Sequence, residues 1–245
     1  MKPVTRRHAL FGALAATALR PALAQAKTPA DVALVLALDV SRSVIERRWS
    51  LQKAGYATAF LDPDIITRIT HGPIGRIAVT VVQWSDCESR KQVVPWTLIS
   101  DQASGARFAT TLANMPRVFE GRTCVGGGLY LSLELLLAAP FEATKRVIDI
   151  SGDGIQNDTG FLGPESQSLD ASAVRERAVA SGIVINGLPI LLPEDDHFSG
   201  ENMGVVPFYR KNVISRDGFV VVVRDGNDPG AFADALKQKL LIEIS

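Results

Sequence analysis

Asp39, Ser41 and Ser43 place one carboxylate and two hydroxyl groups at alternate positions, directly after the apolar run 32–38. An apolar run of this length predicts a buried strand, so the three side chains follow its end. Oxygen ligands of this kind suit the hard cations Mg²⁺, Mn²⁺ and Ca²⁺, whereas zinc prefers nitrogen and sulfur. The motif therefore indicates a divalent-cation site. The alternative is a helix cap, because Ser and Asp side chains also accept the free N–H groups of a first helical turn.

Two later segments provide one more hydroxyl and one more carboxylate. Thr123 lies in the small-residue segment 121–128, which we interpret as a loop that opens a helix. Asp153 follows the predicted strand 147–151, and glycines on both sides of it allow the backbone to bend close to a ligand. In a doubly wound sheet all three segments end at the same carboxyl edge, where ligands of such folds bind.

The hydrophobic pattern indicates the elements that must position these residues. Near-continuous apolar strands that alternate with helices predict a mostly parallel sheet covered on both faces. Pro95 suits an edge strand, so an antiparallel edge strand is expected there. The segment 193–217 breaks the alternation and is predicted to be an irregular insertion, whose acids and histidine at 194–197 favour a solvated loop over a second cation site. Strands are predicted at 32–38, 77–84, 93–99, 147–151, 183–190 and 219–223, and helices at 44–61, 101–115, 129–139, 171–181 and 229–244.

The Asp-x-Ser-x-Ser, Thr and Asp order resembles the metal-ion-dependent adhesion site, or MIDAS, of von Willebrand factor type A (VWA) domains. The resemblance covers nearly the whole chain from residue 31 onward. It implies an α/β fold with a Rossmann-like, doubly wound, mostly parallel sheet, one antiparallel edge strand and three α/β/α layers. Further stretches resemble an exported bacterial branch of the superfamily, known as a domain of unknown function: 75–80, 84–85, 94–99, 186–190 and Tyr209.

The resemblance also implies a set of metal ligands. Three hydroxyls bind one divalent cation, and two carboxylates bind it directly or through water. Mg²⁺ is the expected ion, with Mn²⁺ and Ca²⁺ as alternatives. These ligands are Asp39, Ser41, Ser43, Thr123 and Asp153.

An open position on the cation would accept an acidic residue from a protein partner, because Mg²⁺ prefers about six ligands. Arg42 departs from the pattern, since its charge either competes with the cation or pairs with the incoming carboxylate. The predicted partner-binding rim consists of Arg42, Trp84, Ser85 and Asp158.

Cys87 and Cys124 are the two cysteines of the chain. In an oxidising compartment an even pair is a disulfide candidate. The bond would tether the segment that carries Thr123 and would contribute about 3 to 4 kcal/mol in the chain-entropy model. Two buried free thiols are the alternative.

Residues 1–26 are predicted to form a cleaved signal peptide. Arg6 and Arg7 precede the apolar run 12–19, and Ala-x-Ala sites follow at 22–24 and 24–26. This pattern is typical of a twin-arginine signal, with the Sec route as the alternative. A membrane anchor is disfavoured, because the run is far shorter than the roughly 20 residues that a spanning helix needs. We therefore expect a periplasmic or secreted protein with a single VWA-like domain at 27–245.

Charge and hydropathy exclude other classes of partner. Removal of residues 1–26 takes away four of the 26 basic residues and no acidic residue, which leaves a net charge of −4. A mildly acidic surface lacks the basic stripe that neutralises phosphates, so nucleic acid is not an expected partner. No transmembrane segment is expected in the mature chain.

These observations favour a cation-dependent protein-binding module that is not an enzyme. The segment 126–128 lacks the ending of a P-loop and the spacing of a dinucleotide site. Ser85 lies outside a G-x-S-x-G motif. Two alternatives stay open: a metal-free scaffold in which Asp39 and the serines only cap a helix, and a metal-assisted envelope hydrolase with Asp158 or His197 as its base.

Overall fold

One five-stranded sheet forms the centre of the protein, in a computed structural model that describes residues 26–158, 169–191 and 204–245. Its strands are β1 (Thr28–Asp39), β2 (Ile77–Trp84), β3 (Arg90–Ile99), β4 (Phe141–Gly152) and β5 (Val184–Pro189). They lie side by side in the order β3-β2-β1-β4-β5. All pairs are parallel except β2 with β3, which is antiparallel at one edge. The prediction of a mostly parallel sheet with one antiparallel edge strand is confirmed.

Helices cover both faces of this sheet. They are α1 (Glu46–Ala59), α2 (Pro63–Thr70), α3 (Gln102–Ala113), α4 (Val125–Leu137), α5 (Ala171–Ala180), α6 (Val205–Phe208) and α7 (Pro229–Glu243). Alternate residues of β1 point to opposite faces. Leu34 and Leu36 join the core that α1, α2, α3 and α7 cover, whereas Ala33 and Val35 join the core beneath α4, α5 and α6. This is the predicted three-layer α/β/α arrangement.

One helix was not predicted, and another begins earlier than predicted. Asp62-Pro63-Asp64 directly follows the predicted first helix and begins α2: Asp62 accepts the amide of Asp64 at 2.8 Å, and Pro63 occupies the first helical turn. Helix α4 begins at Val125, so the three glycines interpreted as a loop are helical. Their low helix propensity is overridden by packing, since a Cβ on Gly128 would lie only 2.6 Å from Trp84 Cγ.

The C-terminal third also departs from the prediction. The run 219–223 forms two isolated parallel bridges to the β5 side, Gly187 with Val220 and Ile190 with Val223, and is not a regular strand. Within the segment predicted to be irregular, α6 is followed by a π-helical turn, Tyr209–Val213, whose first and last side chains are buried.

A charged cluster lies buried between β4 and α7. Lys239 Nζ is 2.6 Å from Asp149 Oδ1, and it also pairs with Glu243. Asn186 on β5 donates to Glu243 Oε1 at 3.0 Å. Burial, reinforced by the charge of Asp149, raises the pKa of Glu243 to about 8. Asp149 thus contacts α7 and is held away from the carboxyl edge of the sheet.

Several predictions concern residues outside the described ranges. They are the signal peptide up to residue 25, the loop at 194–197 and His197. Within the ranges that the structure describes, no helix combines the length and apolar character needed to cross a membrane.

Candidate metal centre

The site begins where β1 ends in the middle of the sheet. Asp39 is the last residue of β1 and is fully buried. The chain then turns so that the amide of Ser41 donates to Asp39 Oδ1 at 2.7 Å. Ser41 Oγ lies 3.1 Å from Ser43 Oγ, which places the two hydroxyls beside one another. The alternate spacing of the motif therefore gathers one carboxylate and two hydroxyls at one point of the sheet edge.

The turn after β4 brings the second carboxylate to the same point, because β4 is the neighbour of β1. Ser43 Oγ donates to Asp153 Oδ1 at 2.6 Å. Asp153 is 8% exposed, whereas Ser43 is open to solvent. The two carboxylates are thus buried, and the site is accessible to solvent at Ser43.

Thr123 approaches from the segment before α4. Its amide donates to Asn157 Oδ1 at 2.9 Å, and its carbonyl accepts the amides of Asn157 and Asp158. A Cβ on Gly154 would lie 3.6 Å from Thr123 Oγ1, so this hydroxyl faces the turn that carries Asp153. All five predicted ligands therefore come together at one edge, four through direct hydrogen bonds and Thr123 through this turn.

The electrostatics of the site fit a cation. Burial, and secondly the charge of Asp153, raise the pKa of Asp39 to about 7 against the lowering effect of its hydrogen bonds from Ser41. Asp39 Oδ2 is buried and has no hydrogen-bond partner among the described residues. A buried acceptor without a partner is costly, and a bound cation would satisfy it while offsetting both carboxylates.

The donor set also decides which cations fit. The described residues contain no group of three or more His, Cys, Asp and Glu side chains that could hold a metal ion. The candidate centre instead combines two carboxylates with three hydroxyls, a set of oxygen donors typical of a hard cation.

Tyr209 is a neighbour of the site that sequence reasoning missed. Its hydroxyl is buried without a hydrogen-bond partner in the described part of the chain. A Cβ on Gly152 would lie 2.7 Å from this hydroxyl and 2.9 Å from Asp39 Oδ2, so both atoms flank Gly152. Burial, together with the charges of Asp39 and Asp153, raises the Tyr209 pKa well above its ordinary value. In the sequence, Tyr209 was noted only as part of the family resemblance and was assigned no role.

A disulfide joins Cys87 to Cys124 beside Thr123, with 5.0 Å between their Cα atoms. The amide of Cys124 donates to Ser85 O at 2.7 Å. The amide of Cys87 donates to Asp158 Oδ2 at 2.8 Å. The end of β2, the start of α4 and the loop after β4 are thereby fastened together around the site.

Two of the four residues of the predicted partner-binding rim are buried. Arg42 is exposed and Asp158 is half-buried. Trp84 and Ser85 are fully buried, so they cannot face a partner. Helix α4 covers Trp84 because Gly128 allows close contact, and the Cys124 segment covers Ser85.

The open surface lies instead around a cavity of about 280 Å³. Arg122 and Asn157, which the sequence did not single out, contribute to its walls. Its lining residues are Arg42, Ser43, Gly121, Arg122, Thr123 and Asn157.

Comparison with solved structures identifies the fold. A von Willebrand factor type A protein from Catenulispora acidiphila superposes with a TM-score of 0.57 at 18% identity, covering 88% of this chain and 43% of that one. Proximal thread matrix protein 1 from the mussel byssus, with a zinc-occupied MIDAS motif, gives 0.54 at 16% identity, covering 86% and 46%. The VWF domain of the type V pili tip protein Mfa5 from Porphyromonas gingivalis gives 0.54 at 12% identity, covering 90% and 97%.

The chain spans less than half the length of the first two of these proteins, and nearly all of the Mfa5 domain. No curated protein matches it by sequence. A family model described as "Protein of unknown function (DUF1194)" matches residues 29–245. The chain therefore belongs to the DUF1194 family, and its fold is that of a von Willebrand factor type A domain.

Proposed function

We propose that the protein is an exported, divalent-cation-dependent protein-binding module whose candidate metal centre captures an acidic residue of its partner. The observation that carries this proposal is that Asp39 Oδ2 is buried and has no hydrogen-bond partner among the described residues. This atom lies where the five oxygen-bearing side chains meet. Asp39 Oδ1 accepts the Ser41 amide, whereas α1 begins at Glu46 and has no side-chain cap hydrogen bond. A metal-free scaffold would therefore leave Oδ2 buried at a cost that no helix cap offsets.

The donor set supports capture of a carboxylate. Asp39 and Asp153 offset the charge of a divalent cation, while the neutral hydroxyls of Ser41, Ser43 and Thr123 leave it electrophilic. Mg²⁺ prefers about six ligands, so a partner's carboxylate can complete the set. The exposed position of Ser43 provides the side from which it would arrive.

The relatives are consistent with this function. The mussel byssus protein holds zinc in its MIDAS motif, and Mfa5 is a pili tip protein. Their names supply no partner for this chain. Oxygen donors favour Mg²⁺, with Mn²⁺ and Ca²⁺ as alternatives, and zinc belongs in the same test because of the mussel protein.

The test is calorimetric titration of the chelator-stripped protein with Mg²⁺, Mn²⁺, Ca²⁺ and Zn²⁺. Asp39→Asn keeps the size of the side chain and the acceptor for Ser41 but removes the charge. We expect this variant to lose more than about 100-fold in Mg²⁺ affinity, since even residues that only support metal ligands typically contribute about 10- to 100-fold. Asp234→Asn is the control, because Asp234 is an exposed carboxylate on α7.

Either of two results would contradict the proposal. Equal affinity in wild type and Asp39→Asn would place any bound cation elsewhere. Absence of binding, together with no cation-dependent change in melting temperature, would favour the metal-free scaffold. Stabilisation by a saturating cation should reach about 2.7 kcal/mol at 100 times its Kd.

Export is the second part of the proposal. We assign it to residues 1–26, with the twin-arginine route as the first choice and the Sec route as the alternative. Arg6→Lys/Arg7→Lys should retain the chain in the cytoplasm of a host that has a twin-arginine system. Continued export of this variant would indicate the Sec route, and cytoplasmic retention of the wild type would remove export from the proposal.

A further inference from the structure

A solvent-open cavity lies directly above the candidate metal centre. Its lining includes Ser43 and Thr123, whose hydroxyls are proposed ligands of the cation. Arg42 and Arg122 line the same cavity. A group that enters this cavity therefore meets two arginines as well as two of the proposed ligands.

The backbone holds these two arginines on the same side of the site. The amide of Arg42 donates to Gly121 O at 2.9 Å, which joins the loop after β1 to the segment before α4. Arg122 directly follows Gly121, and both arginines are exposed. They are 80 residues apart in the sequence, so only the fold makes them a pair.

Neither guanidinium is held by a polar contact in the part of the chain that the structure describes. The side chains of Arg42 and Arg122 take part in no hydrogen bond or ion pair with any described residue. The nearby Arg117 behaves differently, because it donates to Val40 O and Ser41 O at 2.9 and 2.8 Å and is held in place by them. Arg117 is therefore structural, whereas Arg42 and Arg122 are available to a ligand.

The negative charges of the metal centre balance the cation but not the two arginines. No carboxylate is among the described residues that line the cavity. The charges of Asp39 and Asp153 equal that of one divalent cation, so the arginines carry a surplus of two positive charges once the cation is bound. Asp86 Oδ2 lies beside Gly121 and can offset part of the charge of Arg122. A single partner carboxylate on the cation would leave the rest of this surplus without a counter-charge.

We infer that the partner segment presents at least two acidic side chains close together, one for the cation and another for the Arg42–Arg122 pair. This inference rests on the proposed function and specifies its partner. Guanidinium groups match carboxylates through two parallel hydrogen bonds, which a single coordinated carboxylate does not use. Arg42 and Arg122 are thus residues that select for acidic clusters.

The experiment measures fluorescence anisotropy with three labelled nine-residue peptides of Gly and Ser that carry no Asp, one central Asp or three consecutive Asp. Wild type is compared with Arg42→Gln/Arg122→Gln. The control Arg107→Gln/Arg216→Gln removes the same charge from two exposed arginines that are absent from the cavity lining. Mg²⁺ affinity of each protein is measured in parallel by calorimetry, at about 150 mM salt to screen long-range attraction.

We expect wild type and control to bind the three-Asp peptide about tenfold more tightly than the one-Asp peptide, as two charge-assisted contacts would give. The cavity variant should bind both peptides alike and should keep or gain Mg²⁺ affinity, because removal of two positive charges close to the site favours cation binding. Equal binding of both peptides by wild type, or an unchanged preference in the cavity variant, would overturn the inference and leave the proposed function intact.

Two further outcomes separate the alternatives. Tight binding of the three-Asp peptide in the presence of chelator, or by Asp39→Asn, would reveal an anion site that needs no cation and would overturn the inference as stated. If polyphosphate displaces the three-Asp peptide in the presence of chelator, this would also indicate a cation-independent anion site and would overturn the inference. Wild type that binds Mg²⁺ but none of the peptides would contradict both the inference and the proposed carboxylate capture.

Discussion

Ser43 Oγ donates a 2.6 Å hydrogen bond to Asp153 Oδ1 across 110 residues of sequence. This bond ties the loop after β1 to the turn after β4, and it does so between two proposed metal ligands. A hydroxyl and a carboxylate oxygen at this separation can bind one cation together. The bond therefore holds part of the ligand set in place before the cation arrives.

Ser43→Ala removes this hydroxyl and its hydrogen bond to Asp153 but keeps both carboxylates of the site. We expect Mg²⁺ affinity to fall by about 10- to 100-fold, as for other residues that orient metal ligands, while the fold stays intact because Ser43 is exposed. Ser43→Thr is the matched control, since it keeps the hydroxyl and should retain most of the affinity. Calorimetry distinguishes them, and equal affinities of the Ala and Thr variants would exclude Ser43 from the ligand set.

The disulfide predicts a link between covalent tethering and metal affinity. Cys87 and Cys124 are 37 residues apart, so Cys87→Ala/Cys124→Ala should lower the free energy of unfolding by about 3 to 4 kcal/mol in the chain-entropy model. Mg²⁺ affinity should fall as well, because Thr123 directly precedes one of the two cysteines. Urea unfolding and calorimetry measure the two effects. Unchanged metal affinity would mean that the bonds between Thr123 and Asn157 hold the loop without the disulfide.

The buried cluster of Asp149, Lys239 and Glu243 predicts a pH effect on stability. One cation faces two carboxyl groups there, so the cluster is neutral when one carboxyl is protonated. The pKa of Glu243, raised to about 8, lies above the ordinary value of 4.5 that applies to the unfolded chain. Its contribution to stability is therefore largest below pH 4.5 and is lost as the pH rises through about 8.

Glu243→Gln tests this effect, because glutamine keeps the shape and can still accept the hydrogen bond from Asn186. Between pH 6 and pH 8.5, urea unfolding should show the wild type losing more stability than the variant. Parallel pH profiles of the two proteins would rule out ionisation of Glu243 as the cause.

The glycines of α4 predict opposite results for two neighbouring substitutions. A Cβ on Gly128 would lie 2.6 Å from Trp84 Cγ, so Gly128→Ala should destabilise the protein by about 1 to 3 kcal/mol. Gly127→Ala is the control, because the atom nearest to its Cβ would be Cys124 Sγ at 3.3 Å. The higher helix propensity of alanine should stabilise this variant by up to about 1 kcal/mol. Thermal unfolding that ranks the two variants the other way would contradict the close packing of α4 on Trp84.

The metal motif could be predicted because it is defined by residues that lie close together in the sequence. Asp39, Ser41 and Ser43 follow a strong apolar run at fixed spacing, and a parallel sheet brings the ends of neighbouring strands to one edge. The edge position of Pro95 likewise follows from its missing N–H group, which cannot join a central ladder.

The remaining features depend on packing between distant elements. Trp84 ends a strand at the ligand edge, but only the approach of α4 through Gly128 decides that it is buried. Tyr209 reaches the site through a π-helical turn that no periodicity indicates. The Asp62-Pro63-Asp64 segment has the composition of both a helix end and a helix start, so α2 could not be distinguished from a turn.

The strand order has a consequence for how the protein folds. β1 lies between β2 and β4, and its pairing with β4 joins segments more than 100 residues apart. Such non-local pairing forms slowly, because a long loop must close and lose conformational entropy before the contacts of the paired strands can compensate for that loss. Asp39 and Asp153 come together only after that step, so neither the N-terminal half nor the C-terminal half of the chain contains the site. Formation of the candidate metal centre would therefore report that β1 has paired with β4.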